Sequence, residues 1–232
     1  QIIERDDDPC SKDVIAYYKF DRSFRDVCFG NNAVKTGDNP ILFSLPGIRN
    51  GAASFAGYLS KLRIPNLNAY KWGSKLSLSL WFKSNSGSTA GIINNGAVYT
   101  DVVRNRTKVV GSWEIRLTSG GSNKNRIGAA IVTSHSAKAW ENVTTAFSNH
   151  WHHLVMVYNG KKIEFYHNSH LKFSESLQGE IVTKNSDVII GLTKYGYYAQ
   201  DGYFSGYMDE VKLFKKALNA HEVQQLYRLK NV

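Results

Sequence analysis

The side chains that could do chemistry fall into a few groups. Asp209 and Glu210 are adjacent carboxylates, imidazoles crowd at His150, His152, His153, His167 and His170, and Tyr195, Tyr197, Tyr198, Gln200, Asp201 and Tyr203 form a ring-rich segment between glycines. Cleaving a glycosidic bond takes two carboxyl groups held about 5 to 10 Å apart on one surface. Neighbours on a regular strand face opposite sides, so Asp209 and Glu210 are expected not to flank one bond. The chain also has no nucleophile elbow, phosphate-binding Walker loop or zinc-protease helix motif. The expectation is a protein that binds without transforming. Zinc wants three or four ligands, and no Cys or carboxylate completes the histidine set, so these imidazoles are read as hydrogen-bonding groups. The tyrosines suit sugar recognition: flat rings stack on the C–H faces of a pyranose, while Gln200 and Asp201 pair with hydroxyls. The competing arrangement has the same rings packing on one another and on a terminal helix.

Short strands must position these groups. Val188, Ile189 and Ile190 form an apolar run stopped by Gly191, and Met208, Val211, Leu213 and Phe214 resume it after Gly206. Leu76, Leu78, Leu80 and Phe82 alternate with Ser77, Ser79, Trp81 and Lys83, the period-two signature of a strand with one face on a core. Trp81 is then either the floor of a shallow groove or a covered ring. Residues 151–167 read as a hairpin turning at Asn159-Gly160, a pair that favours a two-residue turn. Counting outward sets Met156 opposite Ile163, Leu154 opposite Phe165 and His152 opposite His167. Residues 13–24 predict a strand with Val14, Ala16 and Tyr18 on one face, and further strands are expected within 48–65, 92–98, 109–117 and 126–132. Residues 133–150 read as a loop. Asn219 and Glu222 form a capping box for a helix whose stripe is Val223, Leu226 and Tyr227.

A length of 232 residues suits one large β-sandwich, and no low-complexity linker divides it. Lys and Arg number 29 against 19 Asp and Glu, a net charge of +10 that favours acidic partners such as sulfated or sialylated glycans. Arg104, Arg106, Lys108, Lys161 and Lys162 are the candidate anion contacts. Nucleic acid is not expected, since no nucleic-acid motif accompanies the charge. No apolar run is long enough to span a bilayer. Secretion is expected from three signs together: a start at Gln1 rather than Met, acceptor patterns for N-glycosylation at Asn105 and Asn142, and two cysteines only. Cys10 and Cys28 have one intrachain pairing open to them, worth roughly 3 kcal/mol on a loop-entropy model. Two separate thiols, or a bond from Cys10 to another chain, are the alternatives.

The segments AYYKFD (16–21), GAASFAG (51–57), LSLSLWFKS (76–84), WHHLVMVYNGKKIEFYHN (151–168) and the closing order of an aromatic loop, MDEVKLF and a short helix resemble the laminin-G-like, concanavalin A-like jelly-roll domains, in family order over nearly the whole chain. The resemblance implies an all-β fold, a two-sheet antiparallel jelly-roll sandwich with a short C-terminal helix. Residues 13–232 would form this single domain after an acidic tail at 1–12. It also implies a structural Ca²⁺, which carried over residue by residue nominates Asp21, Asp26 and Asp209. Ala56 departs from the family's usual carboxylate there. The functional expectation is a secreted, non-catalytic lectin-like protein whose partners are glycans or glycoproteins, acidic polysaccharide among them. The alternative is a structural matrix or adhesion protein acting through protein contacts or self-association as a homo-oligomer.

Overall fold

The computed structural model describes residues 9–85, 87–96, 98–101, 106–109, 111–119, 121, 123–194 and 201–231; side chains at 98–101, 106–109, 194, 201 and 231 lie outside the description. Two antiparallel sheets face each other. The first runs His170–Ser176, Lys162–His167, His152–Tyr158, Leu76–Ser84, Ser205–Phe214, Gly51–Ala56 and Ile41–Arg49. Val14–Tyr18 takes the second half of the Ser205–Phe214 edge, while Gly51–Ala56 takes the first. The second sheet runs Ala137–Phe147, Lys124–Val132, Trp113–Ser119, Ala90–Asn94, Val188–Ile190, Lys61–Ile64 and Val34–Thr36. The fold is therefore the all-β two-sheet sandwich with one short helix, Ala220–Arg228. No helix among the described residues is long and apolar enough to cross a membrane.

Alternation builds the space between the sheets. Leu76, Leu78, Leu80 and Phe82 meet Leu154, Met156 and Tyr158 from the neighbouring strand and Trp113, Ile115 and Leu117 from the facing sheet, in one buried cluster. The opposite side of Leu76–Ser84 is also buried, with Trp81 only 3% exposed. The helix lies there: Val223 packs with Tyr17, Val155, Val157 and Phe214, and the Tyr227 ring stacks on Trp81 at 5.4 Å and 16°. Trp81 is thus a covered ring, not a groove floor. The capping box forms as read, with Asn219 accepting from the Glu222 N–H and Glu222 accepting from the Asn219 N–H. Cys10 and Cys28 are bonded to each other.

Several expectations shift. Residues 133–150 hold an eleven-residue edge strand, Ala137–Phe147. Its alternation is hard to see because only Val143 and Ala146 are buried along it and its pairing with Lys124–Val132 is offset between Ile127 and Ala129. In Val14–Tyr18 an irregularity between Val14 and Ala16 breaks strict alternation, so Ile15, Ala16 and Tyr18 share the inner core while Val14 and Tyr17 face the helix. The hairpin register slips by two: Tyr158 opposes Ile163, Met156 opposes Phe165 and Leu154 opposes His167. Gly160, at φ +86, occupies the first central turn position, and the Asn159 side chain accepts from the Lys161 and Lys162 N–H groups. A two-residue slip leaves every side chain on its original face.

Candidate functional site

The ring-rich segment lies partly in view. Tyr195, Tyr197, Tyr198 and Gln200 fall outside the described residues, and Asp201 is described only as backbone, paired with Lys194 in the ribbon Leu192–Lys194 with Asp201–Tyr203. Tyr203 is half-buried at the end of that ribbon and meets the Tyr58 ring edge-on, 5.5 Å and 76° apart. Tyr58 itself is 70% exposed. It projects from the turn between Gly51–Ala56 and Lys61–Ile64, where Gly57 and Leu59 both have positive φ. The Asn39 amide donates to the Tyr58 carbonyl, and the Asn85 amide donates to the Ser205 hydroxyl at 3.1 Å on the same rim. Beneath the pair, the Phe204 ring is fully buried against Phe55. Gly191 permits this: a Cβ there would sit 2.7 Å from the Phe55 ring, and its φ is +88. Sequence reasoning missed Tyr58, although a ring beside glycine on a turn between two strands was the available signal.

The candidate anion contacts do not converge within view. Arg104 falls outside the described residues, and Arg106 and Lys108 are described only as backbone of the ribbon Val98–Asp101 with Arg106–Val109. Lys161 and Lys162 are exposed at the hairpin turn, where the Lys162 ammonium binds Glu164 at 2.5 Å and that partner raises its pKa. Asn142 is exposed on its edge strand, and Asn105 lies outside the described residues.

Asp21, Asp26 and Asp209 each engage backbone N–H groups. Asp26 accepts from Tyr17 and Cys28 through one oxygen and from Phe29 and Asn31 through the other, at 2.9 to 3.0 Å. Asp21 accepts from the Gly51 N–H at 3.2 Å. Asp209 accepts from Ile48 at 2.7 Å, Arg49 at 3.1 Å and Glu210 at 2.8 Å. Gly47 lets that loop approach, since a Cβ there would lie 2.8 Å from the Asp209 carboxylate and 2.0 Å from the Gly51 carbonyl. Burial pushes the Asp209 carboxyl up to about 8, against the lowering pull of its N–H donors. N–H donors present the positive ends of their dipoles, so as arranged these carboxylates already have the partners that a cation would replace. Among the described residues, no three or more His, Cys, Asp or Glu side chains gather as a metal site.

The adjacent carboxylates do not face opposite sides. A bulge between Asp209 and Lys212 inserts an extra residue against Leu76–Ser84, with Glu210 at φ +50, so both buried side chains lie on the Trp81 side of the sheet, Glu210 beneath the helix. Tyr17 donates to Glu210 at 2.5 Å, and the Lys212 ammonium lies 3.9 Å from the Tyr17 ring centroid. Burial and Glu210 together raise the Tyr17 hydroxyl pKa; burial raises Glu210 and lowers Lys212. Beside them the Ser79 hydroxyl contacts His153 Nε2 at 2.9 Å, His153 Nδ1 has no hydrogen-bond partner, and burial drives that imidazole down to about 3. Ser79, Trp81, His153, Glu210, Lys212, Leu226 and Leu229 enclose about 10 Å³. That holds one water molecule and no sugar ring.

On the inner face of the hairpin, His152 and His167 meet diagonally. The Phe147 carbonyl can only accept, so His152 carries its proton on Nε2 and donates there at 2.9 Å. Its Nδ1 therefore accepts from His167 Nε2–H at 2.8 Å. His167 Nδ1 accepts in turn from the Thr144 hydroxyl at 3.1 Å. All four ring nitrogens have partners in this relay, which leaves no lone pair for zinc. Burial, then the neighbouring charges of His152, Lys172 and His170, holds His167 down to about 4, and burial lowers His152.

Similarity to known proteins agrees with this architecture. Domain 4 of AbnA, a GH43 extracellular arabinanase from Geobacillus stearothermophilus solved in complex with arabinotriose, superposes with TM-score 0.66 at 21% identity, covering 93% of this chain and 98% of that one. The receptor-binding domain of botulinum neurotoxin type G superposes with TM-score 0.63 at 17% identity over 94% of this chain. The binding domain of Paraclostridial mosquitocidal protein 1 gives TM-score 0.63 at 16% identity over 93%. This chain spans about half of either toxin domain, 51% and 52%. At these identities the likeness is one of fold. No curated protein sequence matches the chain. The family model described as the concanavalin A-like lectin/glucanases superfamily matches residues 56–224. With most of the sandwich inside that match, the chain belongs to the concanavalin A-like lectin/glucanases superfamily.

Proposed function

We propose that this protein is a secreted binding module that recognises extracellular carbohydrate without transforming it. The observation that carries the reading is the exposed Tyr58 ring set edge-on against Tyr203. That pair stands where the tyrosine-rich segment re-enters the sandwich, with Asn39 and Asn85 on the same rim. Rings held at a fixed angle beside amides offer a stacking surface and hydroxyl partners together. The AbnA domain, solved with arabinotriose, is a relative in fold that holds a sugar. The buried Ser79, His153 and Glu210 group offers a substrate no way in, because the helix closes over it.

A glycan array tests the reading. Specific binding that falls about tenfold in Tyr58→Ala and in Tyr197→Ala supports it, in line with roughly 1.4 kcal/mol per tenfold. Binding only to polyanions, abolished by moderate salt, would move recognition to the basic side chains. Calcium held by Asp21, Asp26 and Asp209 is a separate proposal, and a melting temperature indifferent to EDTA and to added Ca²⁺ would end it.

A second reading, a matrix or adhesion protein that self-associates, draws support from the edge strand Ile41–Arg49. Leu42 and Leu45 stand 61% and 69% exposed there, and the strand ends the sheet with one side unpaired among the described residues. Such an edge invites another strand. If the wild type is oligomeric by light scattering and Leu45→Lys is monomeric, this reading gains; a monomeric wild type removes it.

A further inference from the structure

A second groove, remote from Tyr58 in sequence and built on different elements, opens where the two sheets meet at their edges. Its volume is about 610 Å³, within the range of small-ligand sites. Thr144 lines it from Ala137–Phe147, His167, Asn168, His170 and Lys172 line it from the adjoining hairpin, and Tyr227 closes it from the helix. The hairpin turns tightly through Asn168 and Ser169, both at positive φ, and His167 opposes His170 across it.

The polar atoms of this groove have assigned roles. Thr144 gives its proton to His167, so its oxygen lone pairs remain as acceptors. His170 donates through Nδ1 to the Asn168 carbonyl at 2.8 Å, leaving Nε2 as the second acceptor. The Asn168 side-chain oxygen accepts from the His153 N–H at 2.9 Å, which leaves the amide NH₂ to donate. The Tyr227 oxygen accepts from the Lys230 ammonium at 2.8 Å, so its own O–H is a donor. The lining includes the cationic Lys172 and no carboxylate. Donors and acceptors beside the positive charge of Lys172 match a ring bearing hydroxyls and one anionic group.

We propose that the groove between the 167–172 hairpin, Thr144 and Tyr227 binds an anionic saccharide unit, with Lys172 taking the charged substituent and Asn168, Thr144 and Tyr227 taking hydroxyls. The ligand class shares the carbohydrate reading above; the site does not depend on it. The charge of such a unit comes from a sulfate or a carboxylate, so both are tested. The experiment is an NMR titration of the whole protein with a sulfated disaccharide, a uronate-containing disaccharide, the neutral counterpart and inorganic sulfate, following the His170 imidazole and Asn168 amide resonances.

The expected result is saturable shifts with either anionic disaccharide, the tighter one naming the source of charge. Affinity should fall about tenfold for the neutral sugar and about tenfold in Lys172→Gln. Tyr58→Ala should leave these shifts unchanged, which separates this groove from the tyrosine rim: loss of rim binding with intact groove binding leaves the proposal standing. Equal affinity for the neutral sugar, equal saturation by inorganic sulfate, survival of full affinity in Lys172→Gln, or no shift at His170 and Asn168 would each overturn it. Because Lys172 is exposed on an edge strand, its replacement leaves folding intact, and Asn168→Ala supplies an independent second variant expected to weaken binding.

Discussion

The surface beneath the helix and the rim around Tyr58 are made of similar residues and differ in everything that matters for function. Under the helix, Tyr17, Trp81, His153 and Glu210 are buried, with Tyr17 bonded to Glu210 and His153 to Ser79, around a space that fits one water. At the rim, Tyr58 and Tyr203 touch edge-on with one ring mostly in solvent. Rings and carboxylates on a sandwich are a site only where nothing already covers them. The nine-residue helix decides which surface is available, since Tyr227 takes the Trp81 face that a sugar would otherwise meet.

The sharpest way to break this comparison is Trp81→Ala. Truncating the buried ring should cost about 3 to 5 kcal/mol by urea unfolding and release Tyr227, yet leave binding at the Tyr58 rim unchanged. If Trp81→Ala instead left stability intact and abolished rim binding, the covered surface would be the functional one.

Titration should expose the same contrast. Burial holds His153 to about 3 and His167 to about 4 from an ordinary 6.5, so these imidazoles bind fewer protons folded than unfolded. Their stabilisation is complete above pH 6.5 and is lost as pH falls towards those values. Asp209 runs the other way: raised from 3.8 to about 8, it stabilises fully below pH 3.8 and loses that contribution as pH rises through 8. Urea midpoints should therefore peak at about pH 6.5, with Asp209→Asn flattening the alkaline limb and steepening the acid one. A profile unchanged by Asp209→Asn would place that limb elsewhere.

Asn219→Ala removes the helix cap and should cost about 1 kcal/mol, raising hydrogen exchange in residues 220–228 before the sheets respond. The smallest effect on stability is expected at the rim, where Tyr58→Ala should change unfolding stability by no more than about 0.5 kcal/mol while reducing glycan affinity about tenfold. A large stability loss there would mean that Tyr58 is structural after all.

Much of the sandwich was legible because burial imposes a period. The Leu76–Phe82 alternation, the stop at Gly191 and the Asn219–Glu222 box each state a local rule that the fold obeys. Edge strands obey it weakly: Ile41–Arg49, Ala137–Phe147 and His170–Ser176 have mixed exposure, so no clear alternation marks them. The hairpin misreading was benign for function, since a slip of two kept His152 and His167 on one face and within 2.8 Å. The misreading at Asp209–Glu210 was not benign, because one bulge turned opposite-facing carboxylates into neighbours on one surface.

What the amino-acid order determined by itself was the class of scaffold, the helix cap and the types of side chain available for recognition, since periodicity and capping act between residues close in the chain. Which rings stand in solvent, which carboxylates are sealed and where a groove opens were decided only in three dimensions. Those outcomes depend on strands far apart in sequence: a turn at Tyr58 meeting a ribbon at Tyr203, and a helix near the end of the chain lying across Trp81.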